Sequence, residues 1–494
     1  MIESADSRRT MQRGAASRLD EAVRPRPALH FAPARGWMND PNGLIQWNGR
    51  VHLFYQHNPA APAQENLGWG HASSTDLWTW QDHPLALEPD PAGPDRHGCY
   101  SGCAVVADAC PRLLYTGVNG QGELPCLAEA ADQDLIRWTR DPGNPVIASP
   151  PPGEAVRAFR DHSAWRDGPA WYQVVGGGLQ DRGGALFLYR SADLRNWQYA
   201  GIFAAAADHG LDGVIWECPD VFVLGHTTVV VVSVWDGRPP YAMWMTGHVT
   251  GHRFVPRASG RCDAGHRYYA PQSLTLTDGR RVAFGWLREC LGELTGPDKT
   301  RVGAMSLPRE LFLDGSGALQ SRPAQELDRA RRETLHTRLI HGRATARVTL
   351  SARAAHAIEI SLTPVGHDVT STGLRLAGPG AAEVQIQITA GGIEITEGGR
   401  RLTEAAAPRR ADTAADAPLG QVRAWYDGGI LEVFSPPAAA AAVICCRDGR
   451  YDRVEAEITG RPGASPGRAS LTAWSCGRGD PQMADKGRHP AWRE

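Results

Sequence analysis

Short apolar runs separated by turn residues fill the chain from Leu29 to about Arg309. Such runs, bounded by Gly, Pro, Asn or Asp, predict short β-strands joined by tight turns. Farther along, apolar and polar residues alternate strictly, which predicts strands with one buried face. Runs of the first kind include 51–55, 113–116 and 228–234, and runs of the second kind include 346–350, 358–362, 383–388 and 430–434. The chain is therefore predicted to be all-β.

A short motif, Asp-Leu-x-x-Trp, recurs in the first half of the chain. It begins at Asp76, Asp134 and Asp193, so the copies lie 58 and 59 residues apart. A repeat of this length built from short strands is typical of one four-stranded propeller blade with long loops. By length alone, residues 27–322 predict a five-bladed β-propeller. The alternative is a large β-sandwich in which the repeat is accidental.

A change of pattern divides the rest of the chain. Residues 323–336 have helical composition and spacing and predict a short linker helix. The alternating strands that follow predict a C-terminal β-sandwich over 337–476. Residues 1–26 are Arg-rich without apolar periodicity and predict a mobile arm, and 477–494 predict a polar tail.

Composition narrows the class of protein. Of the 494 residues 42% are apolar and 21% charged, as in ordinary globular proteins, and the formal net charge of -2 predicts neither a nucleic-acid nor an acidic membrane partner. The longest apolar run, 438–446, has about half the length that a membrane-spanning helix needs.

The N-terminal segment and the cysteines bear on location and on metal binding. Residues 7–11 resemble a twin-arginine signal but lack an apolar segment after them, so a cytoplasmic protein is expected. Ten scattered Cys without paired spacing predict no metal site and no cofactor.

Three segments combine a carboxylate with aromatic and turn residues. Their acids are Asp40, Asp161 and Glu217, which lie 121 and 56 residues apart, close to two periods and one period of the repeat. Inner strands of a propeller converge on its axis, so the three carboxyl groups are expected to meet. Turn capping by Asp40, a local ion pair at Asp161 and a solvated Glu217 remain open as separate explanations. Converging carboxyl groups provide the acid and the nucleophile that glycoside hydrolysis requires.

The sequence resembles glycoside hydrolase family 32, the β-fructofuranosidases. The resemblance is carried, in order, by HF at 30–31, GWMNDPNG at 36–43, FYQHNP at 54–59, WGHA at 69–72, YSG at 100–102, FRD at 159–161, WECPD at 216–220, YAPQ at 269–272 and LPRE at 307–310. It extends more weakly through the C-terminal region. It implies a five-bladed propeller followed by a sandwich, in agreement with the repeat.

The resemblance also implies roles for individual residues. Asp40 would be the nucleophile, Glu217 the acid and base, and Asp161 a stabiliser of the transition state. In a retaining enzyme the carboxyl groups of Asp40 and Glu217 lie about 5–5.5 Å apart. Trp216 is expected to desolvate Glu217. The fructose pocket would be lined by Asn39, Gln56, Tyr100, Ser101, Arg160 and Trp286.

Two positions depart from the family pattern. His162 replaces the Pro that usually follows Arg-Asp, and it is expected either to point outward or to alter the pH profile. Gln64 stands where many members have a sugar-contacting Trp. The function expected is an exo-acting β-fructofuranosidase whose partner is a small sugar, sucrose or a fructo-oligosaccharide. A fructosyltransferase, a fructan exo-hydrolase, a non-catalytic sugar-binding protein and, on weaker motif agreement, an arabinanase-like enzyme are the alternatives, and the oligomeric state stays open.

Overall fold

The computed structural model describes residues 26–477, apart from 238–239, 266, 290–299, 342–345, 350–356, 366–368, 379–381, 390–391, 404–419, 436–438, 445–452 and 461–467. The described part is almost entirely β-structure, so the all-β prediction is confirmed. No helix within it is both long and apolar enough to cross a membrane. The arm expected over 1–26, except Arg26, and the tail expected after Gly477 lie outside the described residues.

The first part of the chain forms sheets of mostly consecutive, antiparallel strands, except that β19 pairs parallel with β1, and the short helix α1 (Ala206–His209) precedes β13. The strands are β1 Gly36–Trp47, β2 Arg50–Asn58, β3 Gly68–Ser74, β4 Trp80–Leu87, β5 Gly98–Ala107, β6 Cys110–Val118, β7 Glu123–Ala130, β8 Trp138–Arg140, β9 Val156–Asp167, β10 Ala170–Leu179, β11 Gly183–Ser191, β12 Trp197–Ala205, β13 Ile215–Leu224, β14 Thr227–Trp235, β15 Tyr241–Thr250, β16 Arg253–Arg261, β17 Tyr268–Thr275, β18 Arg281–Leu287, β19 Arg301–Val302, β20 Ala304–Met305, β21 Arg309–Leu313 and β22 Leu319–Pro323.

Consecutive strands pair within these sheets. One sheet has the order β19-β1-β2-β3-β4, a second β5-β6-β7-β8, and a third β17-β18-β21-β22 with β20 on β18. The remaining sheet consists of two antiparallel groups, β9 to β12 and β13 to β16, which join at a single residue pair, Gly177 and Trp216.

The first strands of the groups contact one another in a closed cycle. β1 contacts β5, β5 contacts β9, β9 contacts β13, β13 contacts β17, and β17 contacts β1. The pairing register of each of these strands shifts at least once, which is the mark of a β-bulge. One shift in each strand falls at 38–41, 100–103, 160–162, 217–220 and 269–272, and β1 and β9 each have a second shift, at 42–45 and 156–158. All the carboxylates predicted to be catalytic lie at these bulges.

The repeated Asp-Leu-x-x-Trp motif forms the same turn three times, before or beside the last strand of a group. Leu77, Leu135 and Leu194 have φ values of 68°, 58° and 65°, and all three side chains are buried. A left-handed backbone is uncommon for leucine, so its recurrence is a structural repeat rather than an accident of sequence. In the third copy Asp193 Oδ1 accepts the N–H groups of Arg195 and Asn196 at 2.9 and 2.8 Å.

The second part is a sandwich of two six-stranded sheets, ordered β23-β34-β25-β30-β31-β32 and β24-β33-β26-β27-β28-β29. Their inward apolar residues form one cluster, because alternate residues of each strand face the other sheet. The strands are β23 Arg331–His341, β24 Ala346–Thr349, β25 Ala357–Val365, β26 Val369–Ala377, β27 Val384–Thr389, β28 Gly392–Glu397, β29 Arg400–Arg401, β30 Val422–Asp427, β31 Ile430–Ser435, β32 Ala439–Ile444, β33 Arg453–Gly460 and β34 Arg468–Cys476.

The segment between the two parts differs from the expectation of a helix over 323–336. A 3-10 helix covers only Gln325–Ala330, and β23 begins directly at Arg331. Strand β23 pairs with β34 along its length, from Arg331 opposite Cys476 to His341 opposite Arg468. Cross-strand pairing with a segment far along the chain therefore overrides the helical composition of these residues.

A buried network of charges joins the two parts. His30 lies 2.9 Å from Asp427 and 3.1 Å from Glu432, while Arg309 lies 2.6 Å from Glu432 and 2.7 Å from Asp263. Burial lowers the pKa of His30, but the carboxylates of Asp427 and Glu432 outweigh it and raise the pKa to about 9. His30 is therefore protonated at neutral pH, and two cations, His30 and Arg309, face three carboxylates in this network.

Candidate active site

The bulges of the inner strands determine how the site is built. Asp161 and Cys218 have left-handed φ values of 65° and 45° at their bulges, and Ala270 has 48° at the corresponding bulge of β17. Such conformations cost about 1 kcal/mol or more in residues with a side chain, and they occur often at functional sites. Here they turn backbone and side-chain groups of neighbouring strands toward one another, as in the bond from the Cys218 N–H to Asp161.

A row of hydrogen-bonded polar side chains ends at the carboxylate of Asp40. The Ser101 hydroxyl donates to Asp40 Oδ2 at 2.7 Å, and Gln56 Nε2 donates to Ser101 Oγ at 3.1 Å. Asn39 Nδ2 lies 3.5 Å from Gln56 Oε1, and Trp37 Nε1 donates to Asn39 Oδ1 at 2.8 Å. Burial raises the pKa of Asp40, and the Ser101 hydrogen bond opposes this by stabilising the ionised form. This row of hydrogen bonds thus orients Oδ2 of Asp40, which lies on β1.

Asp161 and Asp40 share one neighbour, Cys218. The backbone N–H of Cys218 donates to Asp161 Oδ2 at 2.9 Å, and its Sγ lies 3.4 Å from Oδ2 of both carboxylates. Burial raises the pKa of Cys218 well above its ordinary value, so the thiol is protonated and acts as a weak donor. Burial also raises the pKa of Asp161 to about 7, against the opposing charge of Arg160. The two aspartates therefore meet across a single protonated thiol.

Glu217 is held by one partner on each carboxylate oxygen. Arg160 Nη2 donates to Oε1, and the Tyr269 hydroxyl donates to Oε2. The same guanidinium also donates through Nη1 to Glu123 Oε2 at 3.0 Å. About a fifth of the Glu217 side chain is exposed, at 19%, so this carboxyl group is open to an entering molecule. Arg160 therefore connects the central carboxylates to Glu123 at the edge of the site.

Aromatic rings form one wall of the site. The ring of Trp286 lies 6.0 Å from that of Trp37 and 6.4 Å from that of Tyr269, measured between centroids. Its Nε1 is buried and has no hydrogen-bond partner among the residues that the structure describes. On the other side Tyr100 is partly exposed, and burial followed by the negative charge of Glu123 raises the pKa of its phenol.

Of the six residues expected to line a sugar pocket, Ser101 and Arg160 contact the carboxylates directly. Gln56 and Asn39 lie behind Ser101, and Trp286 packs near Tyr269.

The structure contradicts the expected role of Trp216 and one of the two alternatives for His162, that it points outward. Trp216, expected to desolvate Glu217, lies in the core between strands and donates its Nε1 to the Asp212 carbonyl at 2.9 Å. Successive residues of a strand face opposite sides, so Trp216 and Glu217 cannot share one surface. His162 does not point outward: it is fully buried with Nε2 3.1 Å from Thr116 Oγ1, and burial lowers its pKa to about 4. Gln64, the other departure, is exposed.

Two contacts of the candidate site were missed by reasoning from the sequence. Tyr269 belongs to a family-like segment, yet nothing in its local pattern indicated that its hydroxyl reaches Glu217 on another sheet. Glu123 begins β7 after a Gly-rich hairpin and carries no motif at all. Within the described part of the chain, no group of three or more His, Cys, Asp or Glu is arranged to hold a metal ion.

Comparison with known proteins identifies the family. Residues 30–323 match the N-terminal domain of glycosyl hydrolases family 32. The chain is 36% identical over 332 residues to a sucrose-6-phosphate hydrolase of Escherichia coli and 35% identical over 329 residues to a raffinose invertase of Escherichia coli; each match covers 62% of this chain and 66% of the relative. The chain thus spans slightly less than two thirds of the length of these relatives. The Bombyx mori GH32 β-fructofuranosidase BmSUC1 superposes with a TM-score of 0.75 at 25% identity, covering 96% of this chain and 99% of that one. The chain belongs to glycoside hydrolase family 32.

Proposed function

We propose that this protein is a retaining, exo-acting β-fructofuranosidase that releases fructose from sucrose or short fructo-oligosaccharides. The observation that carries the proposal is the meeting of three carboxylates. Asp40 and Asp161 both contact Cys218, and burial together with the charge of Glu217, which Arg160 holds, raises the pKa of both aspartates. The names of the two Escherichia coli relatives, a sucrose-6-phosphate hydrolase and a raffinose invertase, support a substrate with a fructosyl unit.

Asp40 is the nucleophile in this proposal. Its Oδ1 is free of the bond from Ser101, which goes to Oδ2, so the Ser101 hydroxyl fixes the carboxylate without blocking both oxygens. Attack on the anomeric carbon forms a covalent fructosyl-enzyme and expels the leaving sugar. Hydrogen bonds to the charged form keep a buried carboxylate ionised against the cost of its burial.

Glu217 is the acid and then the base. It gives its proton to the glycosidic oxygen as the bond breaks, and afterwards takes a proton from the water that hydrolyses the fructosyl-enzyme. Once Glu217 is ionised, Arg160 and Tyr269 stabilise its two oxygens by charge and hydrogen bonding. The same contacts therefore assist the first step by stabilising its product carboxylate.

Asp161 does not react in this scheme. It is almost fully buried beside Arg160 and Cys218, where a carboxylate can accept hydrogen bonds from fructose hydroxyls. In its ionised form, Asp161 stabilises the positive charge that develops on the sugar ring in an oxocarbenium-like transition state. Asn39, Gln56, Tyr100 and Trp286 complete the fructose pocket.

We also propose that residues 27–322 form five blades of one propeller. The cyclic contacts of β1, β5, β9, β13 and β17 support this blade count. The sandwich then begins with β23, earlier than the boundary at 337 expected from the sequence.

Incubation with concentrated sucrose tests the function. We expect equal amounts of glucose and fructose when the products are measured by chromatography over time. An excess of glucose together with new oligosaccharides would show that the protein transfers fructose to sugars instead of to water. The absence of any product from sucrose, its 6-phosphate and raffinose would contradict the proposal.

A further inference from the structure

One threonine hydroxyl joins the backbone of two inner strands beside the candidate site. Thr116, on β6, is fully buried, and its Oγ1 donates to the Ser101 carbonyl at 3.0 Å. The same oxygen accepts the backbone N–H of Asp161 at 2.9 Å. Ser101 and Asp161 lie at the bulges of β5 and β9, so one hydroxyl bridges two bulges. Its position bears on two carboxylates, because the Ser101 side chain also donates to Asp40.

His162 completes the set of partners of this hydroxyl. The ring is fully buried, and its Nε2 lies 3.1 Å from Thr116 Oγ1. A hydroxyl has one hydrogen to donate and two lone pairs that accept. Since a carbonyl can only accept, the hydrogen of Thr116 goes to Ser101, and His162 must donate its Nε2–H. Three partners thus use the full hydrogen-bonding capacity of the hydroxyl.

The His162 ring is a neutral donor. Burial lowers its pKa to about 4, against the opposing effects of the Gln173 side chain and the Tyr115 backbone. A neutral imidazole has a single N–H, and the other contacts of Thr116 place it on Nε2. The proline that usually follows Arg-Asp in the family pattern has no side-chain donor, so this contact depends on the histidine of this chain.

We propose that His162 is a positioning residue for Asp161. By donating to Thr116, it fixes the hydroxyl that holds the N–H of Asp161, whose backbone is left-handed with φ of 65°. Such a backbone is uncommon in a residue with a side chain and persists only where surrounding contacts hold it. Thr116 holds the N–H and the Cys218 N–H holds the carboxylate, so Asp161 is fixed from two sides. The inference rests on the function proposed above, in which Asp161 stabilises the transition state, and adds a residue to it.

Removal and restoration of the donor test this inference. His162→Leu keeps an apolar side chain but removes the N–H, and His162→Gln restores a neutral N–H at a comparable distance from the backbone. Thr116→Val removes the shared hydroxyl without altering β9. Thr246→Val is the matched control: Thr246 is also buried and donates to the Gly317 carbonyl at 2.9 Å, and it hydrogen-bonds to no carboxylate within the described part of the chain. Thermal unfolding checks that all the variants fold.

The first readout is kcat/KM for sucrose. His162→Leu should lower it about fivefold, the loss expected from one neutral hydrogen bond, and His162→Gln should stay within about twofold of the unaltered protein. Thr116→Val should lower it at least about tenfold, because two backbone groups also lose their partner. Since His162 acts through the hydroxyl, adding His162→Leu to Thr116→Val should change kcat/KM less than about twofold further. Thr246→Val should leave it unchanged.

The second readout does not need activity. Exchange of the Asp161 amide hydrogen with solvent, measured by mass spectrometry, should be about fivefold faster in His162→Leu and unchanged in His162→Gln. If His162→Leu does not fold, His162→Asn takes its place, because its shorter amide does not reach Thr116.

Three results would overturn the inference. They are unchanged hydrolysis in a folded variant without the donor, a loss that His162→Gln does not restore, and full additivity of the changes at His162 and Thr116. If the unaltered protein cleaves neither sucrose, its 6-phosphate nor raffinose, the proposed function fails instead. Amide exchange then decides alone whether His162 holds the backbone of Asp161.

Discussion

The hydrogen bond from Ser101 to Asp40 gives a prediction about pH. Burial raises the pKa of Asp40, and the Ser101 hydroxyl, 2.7 Å from Oδ2, holds it lower by favouring the ionised form. A hydrogen bond to a charged group contributes about 1.5–3 kcal/mol, and about 1.4 kcal/mol corresponds to one pH unit. Because the proposed nucleophile must be ionised, Ser101→Ala should move the acid limb of the kcat/KM profile upward by about 1–2 pH units.

The assay is sucrose hydrolysis from pH 4 to pH 9 for the unaltered protein and two variants. Ser163→Ala is the matched control, since that serine is also buried but its Oγ accepts the Val221 N–H at 2.9 Å and touches no carboxylate. The control should leave the acid limb in place. If Ser101→Ala lowers kcat/KM by the same factor at every pH, the hydroxyl does not act through ionisation of Asp40 and the reasoning is refuted.

Three further predictions concern stability. Burial raises the pKa of Asp161 to about 7, whereas the unfolded chain releases this proton near the ordinary pKa of 3.8, so the free energy of unfolding falls as pH rises between the two values. Asp161→Asn should therefore raise the free energy of unfolding by about 1–4 kcal/mol at pH 8 and much less at pH 4, which Tm at the two pH values would show, while it abolishes activity. Glu432→Gln leaves the fully buried Arg309 with one carboxylate and should cost about 3–5 kcal/mol in urea unfolding, and a cost below about 1 kcal/mol would contradict the network. Asp193→Ala removes acceptors for two backbone N–H groups and should cost about 1–2 kcal/mol, whereas Asn196→Ala should cost less.

The repeat was visible in the sequence because all three copies have leucine at the left-handed position of the turn, where leucine is uncommon. Leu77, Leu135 and Leu194 are buried, so leucine is retained for packing although glycine would suit the backbone. The Asp-Leu-x-x-Trp motif is absent after residue 197 because other residues form the corresponding turn. Between β15 and β16 the left-handed position is Gly251, with φ of 60°.

The sequence predicted which residues of the candidate site carry carboxylates, but it did not predict which side chains hold them from other strand groups. Asp40, Asp161 and Glu217 stood out because each lies at a repeated position within a local motif. The contacts of Glu217 with Tyr269 and Arg160 join different strand groups, and no local pattern encodes which side chains meet across such a distance. The helix expected over 323–336 failed for the same reason, since its residues pair with β34 at the end of the described chain.

The central claim is that Asp40 attacks the sugar and Glu217 supplies the proton. Glu217→Gln keeps the shape of the site but removes the acid and the base, so sucrose turnover should fall by at least about a thousandfold. With β-fructofuranosyl fluoride, whose leaving group needs little protonation, the same variant should still form the fructosyl-enzyme and hydrolyse it slowly. Peptide mass spectrometry should then find one fructosyl residue on Asp40, and none in the double variant with Asp40→Asn. An adduct on another residue, or full sucrose activity in Glu217→Gln, would contradict the account.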